Sequence, residues 1–158
     1  MKRAFLALLL FASCKSPRLI ESFSTQFGMM HFVKSVEFSG KDGEAEFDFT
    51  YRENDAMPTT CNFTLKSESQ EIYALERATF KAGGEEIELD SLKLMFVSRS
   101  ESSARYTSSL TKEKFRKLFS QNSATFLAKG KTRLLVFEGG KSFRKNAEAV
   151  RLDALNLP

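Results

Sequence analysis

The sequence predicts an α+β domain built mainly on antiparallel β-sheet, with a sandwich as one way of stacking it and two or three short helices, the last at the C-terminus. Three observations carry this. Apolar residues alternate with polar ones at period two over several consecutive runs, as they do on strands with one buried face. The runs are separated by short turn-forming stretches, which favour antiparallel neighbours over crossover units. Helical spacing of apolar residues is confined to a few places, chiefly residues 111–119 and the C-terminal segment.

In chain order, Ser16 and Pro17 stand where a cap and a first helical position would be. Leu19, Ile20, Phe23 and Phe27 follow at helical spacing, and Gly28 closes the segment. A short helix is expected here, the alternative being a tether, although tethers are more polar. From Met30 the period becomes two through Phe32, Val36 and Phe38. Gly40-Lys41-Asp42-Gly43 makes a turn, and Ala45, Phe47, Phe49 and Tyr51 then alternate with Glu44, Glu46, Asp48 and Thr50 in the clearest strand of the chain. Cys61, Phe63 and Leu65 give a third strand. Strand-like runs follow at residues 72–81, 86–89 and 92–99, with a further strand around 105–107. Thr111 caps a helix with Phe115, Leu118 and Phe119 on one face. Phe126-Leu127 is a short apolar piece, 131–137 reads as a strand, 142–144 as a segment pairing back after Gly139-Gly140, and Asn146 as the cap of a final helix.

The first fourteen residues, MKRAFLALLLFASC, are of another kind. Lys2 and Arg3 precede an apolar run over residues 4–12, and Ala12-Ser13-Cys14 is a small-residue processing site. Nine apolar residues reach only about 14 Å as a helix, against a hydrocarbon core of about 30 Å, so the run is too short to span a membrane. The segment resembles the signal peptide of bacterial lipoproteins, with Phe11-Ala12-Ser13-Cys14 in the place of the usual Leu-Ala/Ser-Gly/Ala-Cys box and aromatic Phe11 as its one departure. The resemblance implies cleavage before Cys14, attachment of palmitate-type acyl chains to Cys14, and a membrane-anchored place in the bacterial cell envelope. Lys15, rather than Asp, after the cysteine implies the outer membrane over the inner. It implies nothing about the domain behind the leader.

Residues 1–13 are therefore read as signal peptide, 14–28 as lipidated N-terminus with a short helix or tether, and 29–158 as one β-rich domain. Removing the leader leaves 145 of 158 residues, enough for one core. Of two cysteines, lipidation consumes Cys14. Cys61 then sits on the apolar face of a strand, without a basic neighbour to make it reactive.

Sixteen Phe, three Tyr and no Trp favour core filling over sugar-binding or hot-spot surfaces. Charge is polarised along the chain. Residues 44–101 hold 13 acidic and 6 basic side chains, whereas 111–145 hold 10 basic and 2 acidic. One reading is two faces of opposite sign that attract within the fold. The sharper one is a basic contact surface formed by Lys112, Lys114, Arg116 and Lys117 with Lys129, Lys131 and Arg133, facing an acidic envelope protein or anionic headgroups.

Motifs of chemistry are weak. Glu138-Gly139-Gly140-Lys141-Ser142 imitates the end of a phosphate loop, but Leu135 stands where the earlier glycine must be. Ser109-Leu110-Thr111-Lys112 has Ser-x-x-Lys spacing without its companion elements. His31 is the only histidine, which disfavours zinc clusters and Ser-His-Asp triads, and it is read as a strand residue with one hydrogen bond. No cofactor, metal or nucleic-acid partner is expected. The function expected is a lipid-anchored envelope protein with a non-catalytic binding or assembly role. The alternatives are a small envelope hydrolase working through carboxylates or Cys61, and a periplasmic or secreted binding protein without an anchor.

Overall fold

A computed structural model describes residues 19–53 and 57–155 of the chain. Ten strands, all paired antiparallel, form one sheet: β1 Ile20–Thr25, β2 Gly28–Gly40, β3 Gly43–Arg52, β4 Thr59–Lys66, β5 Arg77–Ala82, β6 Glu85–Glu88, β7 Asp90–Ser98, β8 Ser103–Leu110, β9 Ala124–Lys129 and β10 Leu134–Glu138. Helices α1 Lys112–Phe119 and α2 Lys141–Asp153 and a single 3₁₀ turn, Gln70–Tyr73, complete the described part. The α+β expectation, with its last helix at the C-terminus, is met. The sheet is not stacked as a sandwich but curled into a half-barrel.

Strand order is β6-β5-β9-β10-β2-β3-β4-β8-β7, with β1 also paired to β2. The two edge strands, β6 and β7, are consecutive in the chain and separated only by Leu89. A sheet whose opposite edges are joined by one residue must curl until those edges meet at that corner. Leu89 is buried, and its N–H donates to the Ala78 carbonyl at 3.0 Å.

The concave side is filled with aromatic rings. Phe47 on β3 lies with its ring centroid 5.2 Å from Phe38, 5.3 Å from Phe63, 5.0 Å from Phe80 and 4.8 Å from Phe126, so it touches rings from four other strands. Phe115 and Phe119 of α1 close over Phe49, and Phe143 of α2 packs on Phe38 and Phe119. Ten phenylalanines are buried among the described residues. Phe suits this interior because its flat ring bridges a wide concave space that shorter aliphatic chains would leave void.

Polar pins hold the curl. Asp42, buried in the β2–β3 turn, accepts from the Val136 N–H at 2.9 Å and from Arg133 Nη2 at 2.5 Å, tying that turn to β10. Gly40 stands at the same junction, and a Cβ there would meet the Val136 carbonyl oxygen at 2.6 Å. The Tyr106 hydroxyl donates to the Ile72 carbonyl at 2.8 Å and accepts from the Leu75 N–H at 3.1 Å, fixing the 3₁₀ segment over β8.

Several local expectations are corrected. The expected helix over 17–27 is replaced by β1, since Ile20–Thr25 pair residue by residue with β2 and Gly28, at φ 110°, ends a hairpin instead of a helix. Ser16 and Pro17 lie outside the described residues. The run 72–81 divides into the end of the 3₁₀ turn and β5, while the piece at Phe126-Leu127 is the middle of β9, paired on both sides. Residues 142–144 do not pair back; they open α2. Asn146 is no cap but a buried interior residue of α2, its Nδ2 donating to the Ser142 carbonyl at 3.0 Å. By contrast Thr111 caps α1 as expected, accepting from the Lys114 N–H at 3.2 Å.

Phe47→Ala is expected to destabilise the domain by about 3–5 kcal/mol, the range for deleting a fully buried ring. Urea unfolding of the variant beside wild type measures it, and a loss below about 1 kcal/mol would contradict the central place of this ring.

Candidate functional site

The seven cations expected to form one basic surface fall into two groups. Four lie on α1, a short helix whose Phe115, Leu118 and Phe119 face the core and leave its basic residues at the rim. Three lie beyond, at the far end of β9 and the β9–β10 turn. Ala124, where β9 starts close to the end of α1, is five residues from Lys129, about 16 Å along a strand.

Most of these cations are also occupied internally. Lys114 Nζ bonds both Asp90 carboxylate oxygens, at 2.9 and 2.8 Å, and the Glu88 carbonyl at 2.9 Å. It therefore holds the end of β6 to the start of β7, at the corner where the sheet edges meet. Lys117 pairs with Glu85 of β6. Lys112 donates to the Glu53 carbonyl and lies over the Tyr51 ring, 5.5 Å from its centroid. Arg133 is spent on Asp42, and Lys129 stands in register between Arg77 and Leu134. Arg116 and Lys131 are exposed, without a side-chain bond among the described residues. The polarised charge of the chain thus largely closes on itself, basic helix against acidic strands.

Two carboxylates record this. Hydrogen bonding from Arg77 holds Glu88 below the usual carboxylate range, and Thr132, donating through its hydroxyl at 2.6 Å and its N–H at 3.1 Å, does the same for Glu71. Glu88 is exposed and Glu71 half-exposed, so these bonds fix local geometry without adding much stability.

Cys61 is free and wholly buried on β4, between Phe49 of β3 and Ser108 of β8 in register. Burial pushes its thiol far above the normal range, the reverse of what a nucleophile needs. Cys14 lies outside the described residues. Glu37, Glu44, Glu46 and Glu138 edge an open depression of about 500 Å³ with Lys66 and Lys141. Among the described residues no three potential ligands come together to hold a metal ion, and no helix is long and apolar enough to cross a membrane.

One grouping escaped the sequence reading. His31 Nδ1 lies 2.8 Å from Ser22 Oγ, and its Nε2 lies 3.7 Å from Glu53 Oε1. Ser22 and His31 face each other across the β1–β2 hairpin. Alternation of Ile20 and Ser22 before a Thr-x-x-Gly turn was the signal for this, hidden by the helical spacing of the same segment. The Nε2–carboxylate gap exceeds hydrogen-bond reach. The ring is 5% exposed, wedged beside Tyr51 with one bond, and serves to seat the hairpin.

The least protected surface is β7. The opposite edge, β6, is four residues long and carries three glutamates, all paired: Glu85 with Lys117, Glu86 with Lys81 and Glu88 with Arg77. Strand β7 is nine residues long and exposes Leu94, Met95, Phe96 and Val97 in succession, by 39, 56, 50 and 37%. Its pairing with β8 slips between Leu94 and Phe96, which turns neighbouring apolar side chains outward.

No family model, curated protein or solved structure matches the chain.

Native Cys61 is expected to resist alkylation by iodoacetamide at pH 8 and to react once the domain is unfolded in denaturant. Stoichiometric labelling of the folded protein within minutes would contradict a sealed core and return Cys61 to the candidate nucleophiles.

Proposed function

We propose that this chain is a lipid-anchored protein of the bacterial envelope, held through acyl chains on Cys14, with a non-catalytic binding or assembly role in which a protein partner adds a strand along β7. The single observation carrying the binding role is the bare apolar edge of β7. Edge strands present unpaired backbone donors and acceptors and are ordinarily blunted by charge or brevity. Here β6 has both protections, whereas β7, more than twice as long, has only Lys93, Asp90 at its start and two one-residue slips. A partner strand laid along β7 would satisfy its backbone groups and cover Phe96 and Met95 together, the usual economy of strand addition.

The anchor is supported by the leader. Leu19, in the body of the domain, is only five positions after Cys14, so an acyl anchor there would keep the domain close to its membrane. Lys15 after the acylated cysteine favours the outer membrane.

Two measurements test this. Expressed in a bacterial host, the wild type is expected to start at Cys14, carry acyl mass and sediment with membranes, and Cys14→Ser to lose both properties. An unmodified soluble wild type would overturn the anchor. A photo-crosslinking residue at Met95 of the anchored protein is expected to give a discrete adduct, and one at Glu86 on the opposite edge none. Equal adducts at both edges, or none at Met95, would overturn binding along β7. An adduct of twice the monomer mass would make the partner a second copy.

A further inference from the structure

Helix α2 is the second basic element of the chain; Arg151, near its end, is tied to the Phe119 carbonyl and Asn122, whereas its three N-terminal cations have no internal work. Its buried residues Phe143, Asn146, Ala147 and Val150 face the core. The opposite stripe carries Lys141, Arg144, Lys145, Glu148 and Leu152, all exposed. The side chains of Lys141, Arg144 and Lys145 make no hydrogen bond or ion pair among the described residues. Glu148 is the single acid on the stripe. Leu152, 58% exposed, is a large apolar side chain left in solvent one turn beyond it.

The position of this stripe is tied to the start of the chain. Leu19, Ile20 and Ser22 line one open cleft with Ala149, Leu152 and Asp153, so the C-terminal half of α2 lies beside the first described residues. Leu19 is five positions after Cys14, a stretch that fully extended spans no more than about 18 Å. The helix is 13 residues long, about 20 Å. An acyl anchor on Cys14 therefore holds α2 within roughly its own length of the bilayer surface.

We infer that α2 lies against that membrane, with Lys141, Arg144 and Lys145 on anionic phospholipid headgroups and Leu152 in the interfacial region. This rests on the anchored reading above. It extends that reading by giving the domain one orientation, in which α2 faces the bilayer. Each cation near such a surface adds attraction that falls off within a Debye length, and an apolar side chain among cations is the pairing that interfacial helices use. The anchor supplies the proximity that three cations alone would not.

The test uses the acylated protein with Glu148→Cys carrying an environment-sensitive dye, since buried Cys61 stays unlabelled in the folded domain. It is reconstituted into vesicles of phosphatidylcholine alone or with one third phosphatidylglycerol. A blue shift is expected on the anionic vesicles, absent on the neutral ones, shrinking in 0.5 M salt and lost in Arg144→Glu/Lys145→Glu. The neutralising pair Arg144→Gln/Lys145→Gln, with a far-UV spectrum matching wild type, is expected to reduce the shift and guards against misfolding of the reversal. No shift on anionic vesicles, an equal shift on neutral ones, or a shift surviving charge reversal would overturn the docking. Intact mass of the same preparation reports the anchor separately. Acyl mass without a shift ends the docking alone, whereas absence of acyl mass ends both.

Discussion

The fold depends on one constraint, the passage of the chain from one edge of the sheet to the other through Leu89. With β6 and β7 at opposite ends of the strand order and a single residue between them, the sheet has to bend until its edges touch at that corner. Bending creates a deep concave face, and a deep face needs large side chains to fill it. The abundance of Phe follows from that geometry: rings from β2, β3, β4, β5 and β9 meet around Phe47 and Phe80, and those of both helices pack on Phe38 and Phe49 beside them. The curl also explains the helices. The sheet closes at one corner only, and α1 and α2 cover the remaining opening with Phe115, Phe119 and Phe143.

The same corner explains what became of the charge pattern. Lys114 binds the last residue of β6 and the first of β7 together, Lys117 reaches Glu85 beside them, and Arg133 holds the far turn through Asp42. Opposite charges separated along the sequence become partners across the fold. Ion pairs with a solvent-exposed partner add little net stability, so their effect is to select one arrangement of edges and turns more than to supply stability, which comes from the buried rings. Three of the cations left unpaired lie together on α2, and four consecutive exposed apolar residues lie on β7. The two unsatisfied surfaces lie on different elements and fit different neighbours, a headgroup layer for one and an extended chain for the other.

The sequence made the strands legible wherever burial is strictly one-sided. Strand β3 alternates without exception from Ala45 to Phe49, and Cys61, Phe63 and Leu65 mark β4 in the same way. Residues 19–27 misled because Leu19, Ile20, Phe23 and Phe27 satisfy helical spacing although only Ile20 is buried; apolar residues on a hairpin rim carry no period. The start of α2 was hidden for a local reason, since Gly140 offers no side-chain cap and Asn146, a typical cap residue, is used inside the helix. The division of the basic residues could not be read at all. Lys114 and Asp90 are 24 residues apart, and only the curl brings them into contact. The bareness of β7 was equally invisible, because the run over 92–99 looks like any buried strand until its place at the edge is known.

Hydrogen exchange of the folded domain tests the curled, one-cornered sheet most directly. The account predicts slow exchange for β3 and β4 and for the Leu89 amide, whose partner is the Ala78 carbonyl. It predicts fast exchange for those β7 amides that point away from β8. Protection of β7 equal to that of β4 in the isolated protein would mean the edge is already covered, and free exchange at Leu89 would mean that the two edges do not meet.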